Sequence, residues 1–412
     1  MSSDRTEFLV IALVSGSHFV NHAYIVMLPP IIAILTDSFG VTTAAIGLAI
    51  GVQGAVNASL LLPFGHLSDA RGRTLVLAIS LVAGAVGATM VALAPTYGWL
   101  LVAQAVLGVG VAGHHPAHYP LLATATDPDR RSRAYSIHDL MGELGFAAPP
   151  AIVSAVLALG GDWRTALLLI AGAGWVYAGL AIVAVRLYVP REFRRGDASE
   201  RSERRPIPSR VRSALSGVLA SPPILTLALL ALVVSAAAWG IRSFVVVLLT
   251  DGYGLGLGTG NLIATVMFAT GGGLILLGGV LSDRVGPLPL LVAGFGGLVA
   301  VAGGLATGLL PLAVAGAVTL VLSGTITISR PARSTLADAL SSRGDLGKSF
   351  AFVTIGISAG GAIAPPAFGW VVDRFGVEFV FAGVALLGLV ALGVSLFLRR
   401  YVTEATITGK TN

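Results

Sequence analysis

The chain has 412 residues, of which 55% are hydrophobic and only 11% are charged, and its mean hydropathy is +0.88. A water-soluble protein of this size needs far more charged surface, so these values exclude a soluble globular fold. The absence of cysteine excludes disulfides and thiol chemistry. The net charge of +6 does not indicate nucleic acid binding, because the positive residues cluster in short segments between apolar stretches, as in inserted membrane proteins.

Apolar stretches long enough to cross a bilayer recur along the chain, since a spanning helix needs about 20 residues. The first stretch is too long for the core of a signal peptide, so we expect it to be the first helix of the mature protein. The predicted spans are 8–35, 44–64, 75–94, 98–123, 134–160, 164–187, 222–249, 259–281, 288–308, 311–335, 349–371 and 378–398. The sequence therefore predicts an all-α membrane protein with twelve transmembrane helices.

Arginine and lysine are distributed unequally between alternate segments that connect the predicted spans. The poorer side receives only Arg164 and Arg374. The richer side receives Arg71, Arg73, Arg130, Arg131, Arg133, the arginines between 191 and 212, Arg284, Arg343, Lys348, Arg399, Arg400 and Lys410. The positive-inside rule then predicts a multi-pass protein of the plasma (inner) membrane with both termini in the cytoplasm.

The longest polar segment, 189–220, mixes Arg, Glu, Ser and Pro and has little to bury. We interpret it as a solvated linker, with contact to lipid headgroups as the alternative. The predicted organisation is an N-terminal six-helix bundle at 1–188, a cytoplasmic linker at 189–220, a C-terminal six-helix bundle at 221–400 and a cytoplasmic tail at 401–412.

Four motifs occur twice, in the same order and at a nearly constant offset, which indicates two homologous halves. The first copies are Thr36-Asp37, Gly65-His66-Leu67-Ser68-Asp69, His115-Pro116-Ala117-His118 and Ala148-Pro149-Pro150. The second copies are Thr250-Asp251, Gly279-Val280-Leu281-Ser282-Asp283, Arg330-Pro331-Ala332-Arg333 and Ala364-Pro365-Pro366. A repeat of six spans predicts two pseudo-symmetric six-helix bundles related by an axis along the membrane normal.

The segment from Gly65 to Arg73, with its second copy from Gly279 to Gly286, resembles the loop signature of the major facilitator superfamily. Asp162-Trp163-Arg164 is similar to the turn between that family's fifth and sixth helices. The resemblance covers the whole chain. It implies a secondary transporter that works by alternating access, without ATP or a cofactor, and that is not an enzyme.

The same loop segments are expected to form a cytoplasmic gate, in which Gly65 and Gly72 permit a tight turn and Asp69 pairs with an arginine or faces a helix N-terminus. The complete predicted gate is Gly65, Asp69, Arg71, Gly72, Arg73, Asp283 and Arg333. One alternative is a connecting loop whose arginines only set the topology. For Arg333 the alternative is a simple positive-inside anchor.

Polar side chains inside the predicted spans are candidates for the transport path, because a charge at mid-bilayer costs roughly 2.5–3.5 kcal/mol. A rise of about 1.5 Å per residue along the fourth and fifth helices brings His118 level with Asp139, and His114 level with Glu143. We predict that these residues and His138 form a proton-coupling ladder, with Glu143 as the main carrier. Structural hydrogen bonds and a divalent-metal site are the alternatives, and no metal ligand is assigned.

A second set of polar residues in the spans is predicted to bind the solute. Arg242 is the leading ligand because a guanidinium binds a carboxylate or phosphonate through two bonds, and its pairing with Asp139 or Glu143 is the alternative. The complete predicted set is His18, Asn21, His22, Gln53, Asn57, His115, Tyr119, Arg242 and Arg330. Pro116 and Pro331 are expected to kink the fourth and tenth helices at equivalent places and to help a gate move.

The stretch from His115 to Pro149 is similar to fosmidomycin-resistance-type exporters of the same superfamily, which implies export of a small anionic drug or metabolite. We therefore predict a monomeric, proton-coupled secondary transporter, with export favoured, whose partners are a small-molecule solute, protons and the lipid bilayer. A proton-coupled importer and a carrier of a neutral solute or divalent metal are alternatives within transport. An intramembrane enzyme and a non-transporting sensor are alternatives of another class.

Overall fold

The computed structural model describes residues 3–194, 222–340 and 346–407, and within them the chain forms helices and turns without any strand. Most of the predicted linker and the last residues of the predicted tail, 195–220 and 408–412, lie outside the described residues. Eleven helical segments are long and apolar enough to cross a membrane, and the 30-residue helix Leu346–Phe375 adds a twelfth long apolar segment. The prediction of an all-α membrane fold is confirmed.

We number the membrane-crossing segments as spans 1–12. In the first half, span 1 joins Ser3–Ile25 and Ile32–Phe39, span 2 is Thr43–Arg71, span 3 is Arg73–Ala92, span 4 joins Tyr97–Ala112 and His114–Ala125, span 5 is Arg131–Ala158 and span 6 is Trp163–Tyr188. In the second half, span 7 is Pro222–Val247 with the π-helical turn Leu248–Gly252, span 8 is Leu257–Val285, span 9 is Pro287–Ala306, span 10 joins Leu312–Thr327 and Arg330–Leu340, span 11 is Leu346–Phe375 and span 12 is Val377–Ile407. Twelve crossings put Ser3 and Ile407 at one end of the molecule, which we call the terminus face, and the other end is the opposite face.

Several spans begin at the opposite face with a polar N-cap residue. The side chains of Thr42 and Thr96 accept hydrogen bonds from the backbone N–H three residues later, which satisfies a helical donor that has no partner inside the helix. Asp162 does the same before span 6, where it accepts from the Thr165 amide at 2.8 Å and from the Thr165 hydroxyl at 2.7 Å. These hydrogen bonds stabilise the carboxylate and lower the pKa of Asp162.

Spans 4 and 10 are interrupted at equivalent places, as the paired prolines predict. Span 4 breaks at Gly113 and restarts at His114, so Pro116 lies in the first turn of the new helix. Span 10 breaks after Thr327 and restarts at Arg330, which puts Pro331 at the second helical position. Proline is tolerated there because the first N–H groups of a helix have no intrahelical partner. The break therefore precedes each proline by two or three residues.

The two halves meet most tightly where span 2 packs against span 11. A Cβ atom on Gly51 would lie 2.7 Å from the Ala362 carbonyl oxygen, and one on Gly54 would lie 2.9 Å from that of Gly361. Glycine is required at both positions because any side chain would push the two backbones apart. The larger apolar core runs through both halves and includes Ile50 and Phe381.

Several hydrogen bonds join the two halves at the opposite face. Asp373 of span 11 accepts from the backbone N–H groups of Thr43 at 2.9 Å and Ala44 at 2.8 Å, at the start of span 2. Ser154 donates to the Gly258 carbonyl at 2.9 Å, and Asn261 donates to the Pro30 carbonyl at 3.0 Å. The opposite face is thus held closed in this conformation.

Candidate functional site

An ion pair with a buried carboxylate links the two halves near the middle of span 5. Arg330, the first residue after the break in span 10, places a guanidinium nitrogen 3.0 Å from a carboxylate oxygen of Glu143 in span 5. The Glu143 side chain is 1% exposed, whereas that of Arg330 is 33% exposed. The sequence predicted both residues but not their contact.

Asp139 lies one turn from Glu143, on the same face of span 5. Its carboxylate lies beside the Tyr119 side chain in span 4 and in the electrostatic field of Arg330. The two carboxylates therefore share one cation from the second half. Together with the residues around Arg242, they line a boundary between the halves that we call the seam.

Arg242 of span 7 lies on an aromatic ring from the other half. Its guanidinium carbon is 4.3 Å from the centre of the Phe146 ring, and among the described residues no carboxylate lies within ion-pair distance of it. Such stacking holds the guanidinium plane while leaving its N–H groups available. Arg242 also lines a small cavity between the halves, together with Val26, Pro30 and Phe268.

Six of the seven histidines form an imidazole cluster inside the first half, beside the seam. Its members are His18, His22, His114, His115, His118 and His138. The ring centres of His114 and His118 are 3.3 Å apart, and those of His18 and His138 are 4.0 Å apart and stacked. The His22 ring stacks on Phe146 with the centres 4.2 Å apart, which connects the cluster to the ring beneath Arg242.

Specific hydrogen bonds fix two rings of this cluster. His18 Nδ1 donates to the His138 carbonyl at 2.8 Å, and His22 Nδ1 donates to the Gly142 carbonyl at 2.8 Å. The Nε2 atoms of His18 and His22 lie 3.0 Å apart. Span 1 approaches span 5 this closely because position 142 has no side chain, since a Cβ atom there would lie 2.5 Å from His18 Cε1.

The predicted ladder of acid–base pairs differs from the observed contacts. Glu143 contacts Arg330, whereas neither ring nitrogen of His114 has a hydrogen-bond partner among the described residues. His118 Nε2 forms a hydrogen bond with Ser17 Oγ at 2.9 Å, and Asp139 lies beside Tyr119. The imidazoles therefore contact one another, and Glu143 contacts the second half instead of an imidazole.

The remaining predicted solute ligands are Asn21, Gln53 and Asn57. Asn21 is buried and its Oδ1 has no hydrogen-bond partner among the described residues. Gln53 is also buried and donates to the Tyr24 carbonyl at 3.4 Å, whereas Asn57 is half-buried. Sequence reasoning missed Ser17 and Phe146, although Gly142 and Gly145 could have indicated that spans 1 and 5 approach closely around them.

The predicted gate residues lie near the terminus face. Gly72 has φ +113° and forms the turn after span 2, as predicted, but Gly65 lies inside the helix Thr43–Arg71, because that helix continues to Arg71 before the chain turns. Arg73 is buried and donates to the Pro120 carbonyl at 3.1 Å and to Thr124 Oγ1 at 2.5 Å, which ties it to span 4 of the same half. Asp69, Arg71 and Asp283 are exposed, and Arg333 is half-buried. Asp69 forms no ion pair with either arginine among the described residues, so the predicted pairing is not made in this conformation.

Comparisons with known proteins agree with this architecture. The model of the Major Facilitator Superfamily matches residues 14–329 and 261–412. A protein from Cupriavidus pinatubonensis described as a "Probable 4-methylmuconolactone transporter" is 27% identical over 265 residues, which cover 63% of this chain and 59% of that protein. The fosmidomycin resistance protein of Escherichia coli is 26% identical over 190 residues, 46% of this chain and 45% of its own length. This chain therefore matches only about half of the length of these curated relatives.

Solved structures are similar over nearly the whole chain. A bacterial homologue of the human lysosomal transporter Spinster, in an inward-facing and unoccupied conformation, gives a TM-score of 0.72 at 16% identity and covers 98% of this chain and 97% of that chain. A mutant form of the nucleoside transporter NupG gives a TM-score of 0.76 at 13% identity and covers 95% of this chain and 99% of that chain. At these identities the likeness shows the fold alone.

Proposed function

The chain belongs to the Major Facilitator Superfamily and is a multi-pass membrane transporter of a small-molecule solute, and we propose that it couples the movement of a small organic anion to protons. Membership of this family makes it a transporter and not an enzyme. The solute would bind at the seam between Arg242 and Arg330, each of which offers N–H donors suited to a carboxylate or phosphonate. The relatives named for 4-methylmuconolactone and fosmidomycin support a small organic solute.

The observation that carries the proposal is the Glu143–Arg330 ion pair, because it joins the two halves at the depth where a solute would bind. A buried carboxylate beside a cation is stable when ionised, and protonation removes the charge that holds the guanidinium. Protonation of Glu143 would therefore raise the affinity of Arg330 for an incoming anion. One molecule of the chain contains both partners, which supports a monomer as the working unit.

This ion pair also bears on the direction of coupling. If the anion and Glu143 compete for Arg330, the proton and the anion bind together and cross together, which is symport. A proton-coupled exporter needs the opposite relation, in which proton and solute exclude each other. The ion pair thus favours the importer alternative over the export implied by the resemblance to fosmidomycin-resistance-type exporters.

Flux in proteoliposomes tests both parts of the proposal. A thermal-shift screen of the purified protein against anionic metabolites and drugs first identifies a solute. We expect that solute to accumulate in liposomes when the outside is acidic, whereas accumulation with an acidic interior would identify antiport. A solute that moves only down its own gradient at every pH would contradict proton coupling.

The substitution Glu143→Gln should separate binding from coupling. Glutamine mimics the protonated acid, so Arg330 remains available to the anion while the group that loads and releases the proton is lost. We expect gradient-driven accumulation to vanish while exchange of labelled for unlabelled solute continues. The matched control is Asp37→Asn, which removes an exposed carboxylate at the opposite face and should leave both rates unchanged. Wild-type accumulation by the Glu143 variant would refute its assignment.

A further inference from the structure

The protonation of two cluster imidazoles follows from their backbone contacts. A carbonyl oxygen only accepts hydrogen bonds, so the His18–His138 and His22–Gly142 contacts each require a proton on Nδ1. A neutral imidazole carries one proton, which leaves both Nε2 atoms with an exposed lone pair. The two Nε2 atoms lie 3.0 Å apart. Two lone pairs that face each other at this distance repel, so a cation is needed between them.

A third imidazole nitrogen reaches the same place. One ring nitrogen each from His18, His22 and His115 lie within 4.8 Å of one another, and Nδ1 of His115 has no hydrogen-bond partner among the described residues. Ring nitrogens of a second group of three, His18, His114 and His138, also lie within 4.8 Å of one another. Both ring nitrogens of His114 and His138 are buried and lack hydrogen-bond partners within the described part of the chain. Buried polar atoms normally have hydrogen-bond partners. A group of buried ring nitrogens without such partners therefore indicates that a ligand binds here.

We propose that His18, His22 and His115 bind a divalent transition-metal ion of the zinc class. Imidazole is the preferred ligand of such ions, and three protein nitrogens leave a coordination position open. The Nδ1–H to carbonyl contacts of His18 and His22 are the outer hydrogen bonds that orient metal-binding imidazoles. Zn–N bonds of about 2.0–2.1 Å in tetrahedral geometry separate two nitrogens by about 3.3 Å, so the observed 3.0 Å needs only a small rotation of the rings.

A proton shared between His18 and His22 is the competing explanation. It would satisfy the 3.0 Å contact, but it uses two imidazoles and gives no role to the converging nitrogen of His115. The metal site accounts for the third ligand, and it is independent of the proposed anion coupling at Glu143.

Metal titration of the purified full-length protein tests the site. The protein, with any affinity tag removed and metals stripped by chelator, is titrated with Zn²⁺ by calorimetry at pH 8 and pH 5.5. We expect one saturable Zn²⁺ per chain at pH 8 and weaker binding at pH 5.5, because protons compete for imidazole nitrogen. Substitution of Co²⁺ should give the visible absorption bands of a tetrahedral nitrogen site.

Single substitutions identify the ligands. His22→Ala and His115→Ala should each weaken Zn²⁺ binding by at least about 100-fold, beyond the cost of losing an outer hydrogen bond. His66→Ala is the matched control, because His66 is exposed, lies outside the cluster and should leave the affinity unchanged. His115 is half-buried at the start of a helix, so its variant remains informative if the His22 variant fails to fold.

Two outcomes would overturn the metal site. The first is the absence of saturable Zn²⁺ binding at pH 8, which would leave the shared proton as the explanation of the His18–His22 contact. The second is wild-type affinity in both variants. Neither depends on solute or gradient, so failure here leaves the flux experiments on Glu143 intact.

Discussion

Arg242 and Arg330 illustrate, at the scale of the single residue, two ways in which a half-buried cation can be held. Arg330 is balanced by Glu143, whereas Arg242 rests on the Phe146 ring with no carboxylate within ion-pair distance among the described residues. A ring offers much less electrostatic compensation than a carboxylate. Arg242 is therefore the cation that gains most from binding an anion.

Replacement of Arg242 by glutamine should weaken solute binding. Loss of a hydrogen bond to a charged group costs about 1.5–3 kcal/mol, which corresponds to a roughly 10- to 150-fold increase in the solute's half-saturation concentration. The measurement is the concentration dependence of solute exchange in proteoliposomes. Arg164→Gln is a matched control because Arg164 also stacks on an aromatic ring, Trp163, but lies at the opposite face. Equal half-saturation in wild type and the Arg242 variant would exclude a direct contact with the solute.

The residues of this candidate site could be selected from the sequence, but their contacts could not. A buried ionisable group is costly, so Glu143, Arg242 and Arg330 were identifiable from their positions in apolar spans. Counting residues along a helix gives depth, but it does not give the direction in which a side chain points around the helix axis. For that reason the contact of Glu143 with Arg330 instead of His114 depended on packing that a single sequence does not specify.

At the scale of the element, the repeated motifs predicted the breaks in spans 4 and 10, because proline has a defined effect on a helix. No sequence motif predicted the hydrogen bonds that close the opposite face. Asp373 and Thr43 are distant in sequence, and their contact depends on how span 11 docks against span 2. Alternating access requires such contacts to form and break in each cycle.

Asp373→Asn should shift the molecule towards opening at the opposite face. The two carboxylate oxygens accept one backbone N–H group each at the positive end of span 2, and an amide loses both the charge and one of these acceptors. A loss of about 1 kcal/mol would change the ratio of closed to open molecules roughly fivefold. Spin labels at Leu159→Cys and Leu309→Cys report this, since both sites are highly exposed, lie in different halves and sit in a chain without native cysteine.

The control for this measurement is Asp251→Asn. Asp251 is an exposed carboxylate at the same face whose hydrogen bond, with Thr250, stays within its own half. We expect the Asp373 variant to gain a population with longer label-to-label distances and the Asp251 variant to match wild type. An unchanged distance distribution in the Asp373 variant would show that this contact does not hold the face closed.

At the scale of the whole molecule, the charge distribution and the fold give a consistent topology. Twelve crossings put both termini at one face, and that face also carries most of the arginines in the connecting segments, including Arg71 and Arg130. Because positively charged segments are retained in the cytoplasm, we propose that the terminus face is cytoplasmic. The closed opposite face would then be external, and the described conformation would be one that opens inward.

Labelling of intact cells tests this orientation. Asp129→Cys places a thiol on the exposed turn between spans 4 and 5 at the terminus face, and Leu159→Cys places one between spans 5 and 6 at the opposite face. A membrane-impermeant maleimide should label position 159 in intact cells and position 129 only after permeabilisation, because a single span separates the two sites. The chain contains no cysteine, so no native thiol contributes to the signal. Labelling in the reverse order would invert the topology, and with it the side from which the Glu143–Arg330 pair is reached in the described conformation.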